Sequence, residues 1–243
     1  MLHSGFGNQQ DQVGRYFMET IDAAIYLEIE LDFVTHRGPP LDSRIWDYCK
    51  PVDNNSAGFV LGSSSYLDPG TGPSRHAINQ QGIGRAHKQS VRETFGRNLV
   101  LFGIAEQEPV ATNRISLSDT LDKYGVPKVN VHCEYSQRDH NTIDLMHEKL
   151  TAWQQATPNT TINKVTNTRS RSSATHVAGT CRMGNDPQHS VVDAFGKVHG
   201  SKNCYITDGS VMPTQGAGDS PSLTIQALAL RTADRIVEDL KSV

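Results

Sequence analysis

The stretch Ala23-Ala-Ile-Tyr-Leu-Glu-Ile-Glu-Leu-Asp-Phe-Val34 sets Ile25, Leu27, Ile29, Leu31 and Phe33 against polar or small partners. A period of two puts these side chains on one face of an extended chain. The run therefore predicts a half-buried strand, which Gly38-Pro39-Pro40 ends. Residues 98–104 and 114–117 predict two more strands, and Val129, Val131, Cys133 and Tyr135 alternate with polar neighbours in a fourth. Tyr124-Gly-Val-Pro127 supplies the turn before that fourth strand. From Arg138 to Gln155 the period changes, with Ile143, Met146, Leu150 and Trp153 recurring at helical spacing. The expectation is an antiparallel sheet with one face covered by helix.

Other segments are less patterned. Residues 38–86 are rich in Gly, Pro, Ser, Asp and Asn and read as long loops with one strand near residues 58–61. His76 and His87 lie in that polar setting and read as solvated. Asp11 to Thr20 predicts a short helix around Val13 and Phe17, and residues 162–174 a polar connection.

With 243 residues the chain can form one large domain or two small ones. A net charge of −3 gives no basic footprint for nucleic acid, and no apolar run approaches a membrane span. The four cysteines show no paired spacing, and the first residues do not read as a secretory signal. The cysteines fit reduced thiols in a reducing compartment such as the cytoplasm.

Three later blocks carry chemistry. Thr175-His-Val-Ala-Gly-Thr-Cys-Arg-Met-Gly184 sets His176 ahead of a glycine-bounded turn. A neutral imidazole suits proton abstraction from a hydroxyl near pH 7, and Gly179 permits close approach of backbone to a ring. Tyr205-Ile-Thr-Asp-Gly-Ser-Val-Met-Pro-Thr214 reads as a strand ending in a polar turn at Asp208-Gly209. A second strand is expected over residues 191–198. Ser220-Pro-Ser-Leu-Thr-Ile225 opens a helix, with Ser220 as N-cap and Pro221 at its first position. Leu223, Ile225, Leu228, Ala229, Thr232, Ala233, Ile236, Val237 and Leu240 are read as one packing stripe on that helix. Its positive end favours negative charge on a bound group. Cys181 has no partner pair at ligand spacing, so no metal is expected.

These blocks resemble the C-terminal signature of the glucose–methanol–choline (GMC) flavoprotein oxidoreductases: His-x-x-Gly-Thr, Met-Gly, Asp-Gly-Ser-x-x-Pro-Thr, then a Pro-opened, Thr-containing helix. Weaker likeness runs through Ser4-Gly-Phe-Gly7, Val13-Gly-Arg-Tyr-Phe-Met18, Asn113-Arg-Ile-Ser-Leu117 and Lys123-Tyr-Gly-Val-Pro127. The resemblance implies an α/β (α+β) fold, FAD as cofactor, and an alcohol or sugar as substrate. It implies His176 and Ser220 as catalytic residues. Asp208, Gly209, Ser220, Pro221 and Ser222 become flavin contacts. The family usually carries Asn or His where Ser220 stands, which leaves Asp219 as a rival for the second role. It often carries Asp-His where Glu19-Thr20 stand.

The resemblance also implies a division of the chain. Residues 1–24 and 171–243 would be parts of a FAD-binding domain, and residues 25–170 a substrate-binding domain. A Gly-x-Gly-x-x-Gly turn between strand and helix would seat the pyrophosphate. Gly82-Ile-Gly-Arg-Ala-His87 has histidine at its last position and no apolar strand before it, so it reads as loop. The dinucleotide-binding half is then expected upstream of Met1 or on a partner chain. A truncated, non-catalytic fragment is the rival reading.

Overall fold

The computed structural model describes residues 1–30, 41–64, 76–78, 80–170 and 175–241. Its longer elements, in chain order, are β1 (Ile21–Ile29), β2 (Leu41–Ile45), β3 (Phe59–Ser64), α1 (Gly84–Thr94), β4 (Asn98–Ala105), β5 (Arg114–Leu121), β6 (Pro127–His132), α2 (Gln137–Gln155), β7 (Thr160–Asn167) and α3 (Ser222–Lys241). Two compact units result. One holds Met1–Thr20, Glu106–Asp139 and Ser173–Val243, the other Ile21–Ala105 and His140–Ser172.

The second of these is a five-stranded antiparallel sheet of order β2-β3-β4-β1-β7. Its central pairing sets Ile25 opposite Leu101 and Leu27 opposite Leu99. The alternating run does what its period requires: Ile25, Leu27 and Ile29 are buried while Tyr26 and Glu28 are half-exposed. Leu31, Phe33 and the Gly38-Pro39-Pro40 breaker lie outside the described residues. Ile143, Met146 and Leu150 of α2 pack with Ile21, Ile25, Phe59, Leu61 and Leu101 in one core. The helix comes close: a Cβ on Gly103 would stand 2.8 Å from Met146 Sδ. Leu150 has no exposed surface. Leu150→Ala should cost about 2–5 kcal/mol, read as a fall in the unfolding midpoint in urea.

Four sequence expectations fail in this unit. β2 and β7 are unpredicted because they are the edges of the sheet: β7 is mostly exposed and polar, and its strand character comes from backbone pairing with β1. α1 begins in a stretch expected to be loop, Gly84-Arg-Ala-His87, and buries no residue, so it has no apolar stripe to announce it. His76 is buried rather than solvated: its Nε2 is 2.8 Å from Thr94 Oγ1 and its ring meets Phe95 edge-on. Residues 171–174 of the expected polar connection lie outside the described residues.

The other unit has a smaller core, in which Val13, Val191, Val192, Val198 and Val211 are buried together. β5 and β6 form a separate hairpin. Asp122 tightens its turn by accepting from the amides of Tyr124 and Val126. Val129 and Val131 are 58% and 57% exposed, so the expected covered face is absent from this hairpin.

Residues 11–20 are not a helix: Asp11, Gly14 and Tyr16 all take positive φ, which an α-helix of L-residues cannot accommodate. The strands expected at residues 191–198 and 203–207 reduce to the isolated bridges Met183–Val192, Val192–Val198 and Lys197–Tyr205. Asp193 accepts from the amides of Phe195 and Lys197 and turns the chain at Gly196 before a ladder can grow. No helix among the described residues is long and apolar enough to cross a membrane.

Candidate active site around His176

Two distant segments lie side by side in the smaller-core unit. Met18 and Ala178 exchange both backbone hydrogen bonds at 3.1 Å, Gly14 N donates to Thr180 O, and Thr20 N donates to Thr175 O. Antiparallel pairing at Met18 and Ala178 sets Thr20 opposite His176, where cross-strand side chains meet. Thr20 Oγ1 and His176 Nδ1 are 2.8 Å apart. The approach depends on Gly179, whose φ is +92° and whose missing Cβ would fall 2.0 Å from Tyr16 O.

His176 itself has φ +52°, uncommon for a residue with a side chain. Its backbone is held from the other side, because Gln215 Nε2 donates to His176 O at 2.6 Å. Gln215 Oε1 accepts from Gln107 N, and Gln107 Oε1 accepts from Glu19 N at 2.9 Å. The Tyr135 hydroxyl donates to the Glu19 carboxylate. Glu19, Gln107 and Gln215 are all buried, so this polar chain is fixed by its own satisfaction.

The far nitrogen of the ring, Nε2, is 3.1 Å from Ser220 Oγ. The sequence-predicted pair is thus brought together across 44 residues. Ser220 serves the histidine rather than capping α3. Asp219 turns back on its own backbone, with Oδ1 accepting from Ser220 N at 2.7 Å. Pro221 O accepts the α3 hydrogen bond from Ile225 N. The N-terminus of the twenty-residue α3, with its unpaired amides and positive end, therefore begins beside the His176–Ser220 contact.

Asp208 and Gly209 lie on the wall of a cleft of about 220 Å³, with Phe17, Val177, Ala178 and Thr180. Asp208 Oδ1 accepts from Ser210 N at 2.8 Å and closes a short 3₁₀ turn, and the residue is exposed. A Cβ on Gly209 would meet Val177 O at 3.1 Å and Ile225 Cδ1 at 3.3 Å, so glycine keeps this wall close to the first turn of α3.

Only part of the expected α3 stripe packs. Ile225, Leu228, Thr232 and Ile236 are buried or half-buried, whereas Leu223, Val237 and Leu240 are exposed together with Leu230. α3 has a second apolar face.

Other groups have plainer roles. The Cys181 thiol is pushed up by burial, which suppresses its thiolate. No cluster of three or more metal-ligating side chains occurs among the described residues. Arg182 stacks over Tyr16 at 4.2 Å from the ring centre. Ser190 Oγ is 2.8 Å from His199 Nε2 and donates its hydrogen to Asp186 O at 2.6 Å. Sequence reasoning missed Thr20, Gln107 and Gln215 as parts of the site. They belong to it through pairings over long sequence separations, which no local pattern encodes.

The family profile described as GMC oxidoreductase matches residues 109–229. The chain is 40% identical over 142 residues to 6'''-hydroxyparomomycin C oxidase of Streptomyces lividus, covering 56% of this chain and 25% of that protein. It is 27% identical over 242 residues to 2-methyl-1,2-propanediol dehydrogenase of Mycolicibacterium austroafricanum, covering 96% of this chain and 43% of that protein. Among solved structures, pyridoxine 4-oxidase from Mesorbium loti superposes with a TM-score of 0.60 at 18% identity, over 92% of this chain and 43% of that one, a likeness of fold. The chain spans less than half the length of these relatives.

Proposed function

This chain belongs to the GMC oxidoreductase family, and we propose that it forms part of an FAD-dependent oxidoreductase that oxidises a CH–OH group of an alcohol or sugar. The observation that carries the reading is the His176–Ser220 contact at the N-terminus of α3, 3.1 Å between Nε2 and Oγ.

The residues present fit the flavin part of FAD. Gly209 keeps the cleft wall free of a side chain, and Asp208 is exposed on it to accept from a ribityl hydroxyl. The amides of Ser222 and its neighbours, together with Pro221, form the helix end that favours negative charge. A cleft of about 220 Å³ takes part of a dinucleotide, not all of it. Bound FAD would supply the acceptor for the hydride. The chain's own work is to hold the carbinol hydroxyl at His176 Nε2 and take its proton there, while Ser220 Oγ orients the substrate oxygen. Residues 1–24 and 171–243 serve the flavin side, and residues 25–170 the substrate side.

The pyrophosphate and adenosine need a grip of their own. A specific observation favours a second polypeptide region providing it: Leu223, Leu230 and Leu240 on α3 are 78%, 68% and 71% exposed. Flavin absorbance after desalting tests both points. The chain with added FAD should retain little flavin, and the chain mixed with FAD and a polypeptide carrying a Gly-x-Gly-x-x-Gly fold should retain it and oxidise alcohols. Retention and turnover by the chain alone would overturn the need for a second region. Retention in neither arm would overturn the flavin reading.

A further inference from the structure

We propose that Thr20 is a positioning residue that fixes His176 as the Nδ1–H tautomer, leaving the Nε2 lone pair to act as the base. The inference rests on the reading of His176 as base, but its test does not.

The argument is a count of hydrogens. Thr20 Oγ1 has two neighbours: His176 Nδ1 at 2.8 Å and the carbonyl oxygen of Gly218 at 3.3 Å. A carbonyl oxygen can only accept, so for both contacts to be hydrogen bonds the single hydroxyl hydrogen of Thr20 must go to Gly218 O. Its lone pair then accepts, and the hydrogen in that second contact must sit on Nδ1. A neutral imidazole carries one such hydrogen, so Nε2 has none. Ser220 Oγ, 3.1 Å from Nε2, is in turn the donor. Every polar atom in the row has one role, and reversing one contact leaves Gly218 O without this hydrogen.

Placement supports the count. Thr20 is 1% exposed, so water does not compete for its hydroxyl. The backbone pairing of Met18 with Ala178 sets Thr20 opposite His176, and Gln215 pins the His176 carbonyl. The ring cannot turn its nitrogens over without breaking the Thr20 and Ser220 contacts together.

The consequence is chemical. An alcohol reaching Nε2 displaces the Ser220 hydroxyl as donor. Its O–H bond breaks with the proton passing to Nε2, and bound FAD would supply the acceptor for the C–H hydride and its electron pair. The imidazolium so formed keeps its Nδ1–H on Thr20, so no contact on the inner side has to change. With the other tautomer Nε2 would already carry hydrogen and could accept nothing.

The test is ¹⁵N-histidine NMR on the full chain at a pH where the ring is neutral, with His176 assigned by comparison with His176→Gln. Long-range ¹H–¹⁵N couplings report which nitrogen bears hydrogen. The expected wild-type spectrum has the proton on Nδ1. Thr20→Val should shift the tautomer ratio toward Nε2–H by roughly five-fold, the worth of one hydrogen bond, whereas Thr20→Ser should keep the wild-type pattern. A wild-type ring protonated at Nε2 overturns the assignment, whatever the variants do. An unchanged Nδ1–H ring in Thr20→Val removes Thr20 from the role, and Thr20→Ala gives the same reading if the valine variant does not fold. An Nδ1–H ring in an assembled enzyme that retains FAD but needs no His176 for turnover would leave the tautomer standing and defeat the base.

Discussion

His176→Ala, in the assembled and FAD-loaded enzyme, should lose about 10²–10⁴-fold in alcohol oxidation while keeping its flavin spectrum. That range is what a positioned general base contributes. Two features of the site point to the upper part. Nε2 has a fixed neighbour in Ser220 at 3.1 Å and Nδ1 a fixed one in Thr20 at 2.8 Å, so the ring is held in one orientation before substrate arrives. The backbone is also held in an uncommon left-handed conformation, its carbonyl oxygen bonded by Gln215. Flavin retention is the control, since the cleft residues Asp208 and Gly209 are untouched by the substitution. Ser220→Ala should lose less, because in the proposed step its hydroxyl only orients the substrate oxygen and takes no proton from it. Near-normal turnover by His176→Ala would end the assignment, and loss of flavin together with activity would make the residue structural.

The parts of the fold legible in the sequence are those whose burial follows one face of one element. Ile25, Leu27 and Ile29 show the strand period because one face of β1 is covered, and Ile143, Met146 and Leu150 show the helix period because α2 covers it. β2 and β7 were illegible because an edge strand is held by backbone hydrogen bonds, to which side-chain pattern is blind. α3 misled in another way. Its apolar positions read as one stripe, but Ile225, Leu228 and Thr232 face this unit while Leu223, Leu230 and Val237 face solvent. Sequence alone does not separate the apolar face that packs from the apolar face left exposed.

The site was legible in a similar, partial way. His176, Asp208, Gly209 and Ser220 stand in spaced motifs, and the fold brings His176 and Ser220 within hydrogen-bond reach. The supporting residues have no such mark. Thr20 and Gly218 are 198 residues apart, and Gln107 and Gln215 are 108 apart. Their roles exist only once the chain has folded. Glu19-Thr20 departs from the family pattern at the position where the structure sets a side chain against the histidine.

The second large effect is expected from a single methyl group added at Gly179. Gly179→Ala should destabilise the chain by about 3 kcal/mol, a fall in Tm of roughly 6–12 °C, and should disorder the His176 ring even at temperatures where the chain stays folded. A left-handed φ of +92° costs an L-residue about 1–2 kcal/mol by itself. The added Cβ would also stand 2.0 Å from Tyr16 O and 2.8 Å from Met18 Cε. Tyr16 O is backbone and cannot rotate away. Relief must come from parting residues 16–20 from residues 175–180, the pairing that sets Thr20 against His176. Gly5→Ala separates the two costs: Gly5 has φ +70° with nothing within 4 Å of its Cβ position, so it carries the conformational penalty without the collision. Thermal melts of the two variants should differ by the collision alone. If Gly179→Ala melts no lower than Gly5→Ala, the close approach of these two segments is not what holds the histidine in place.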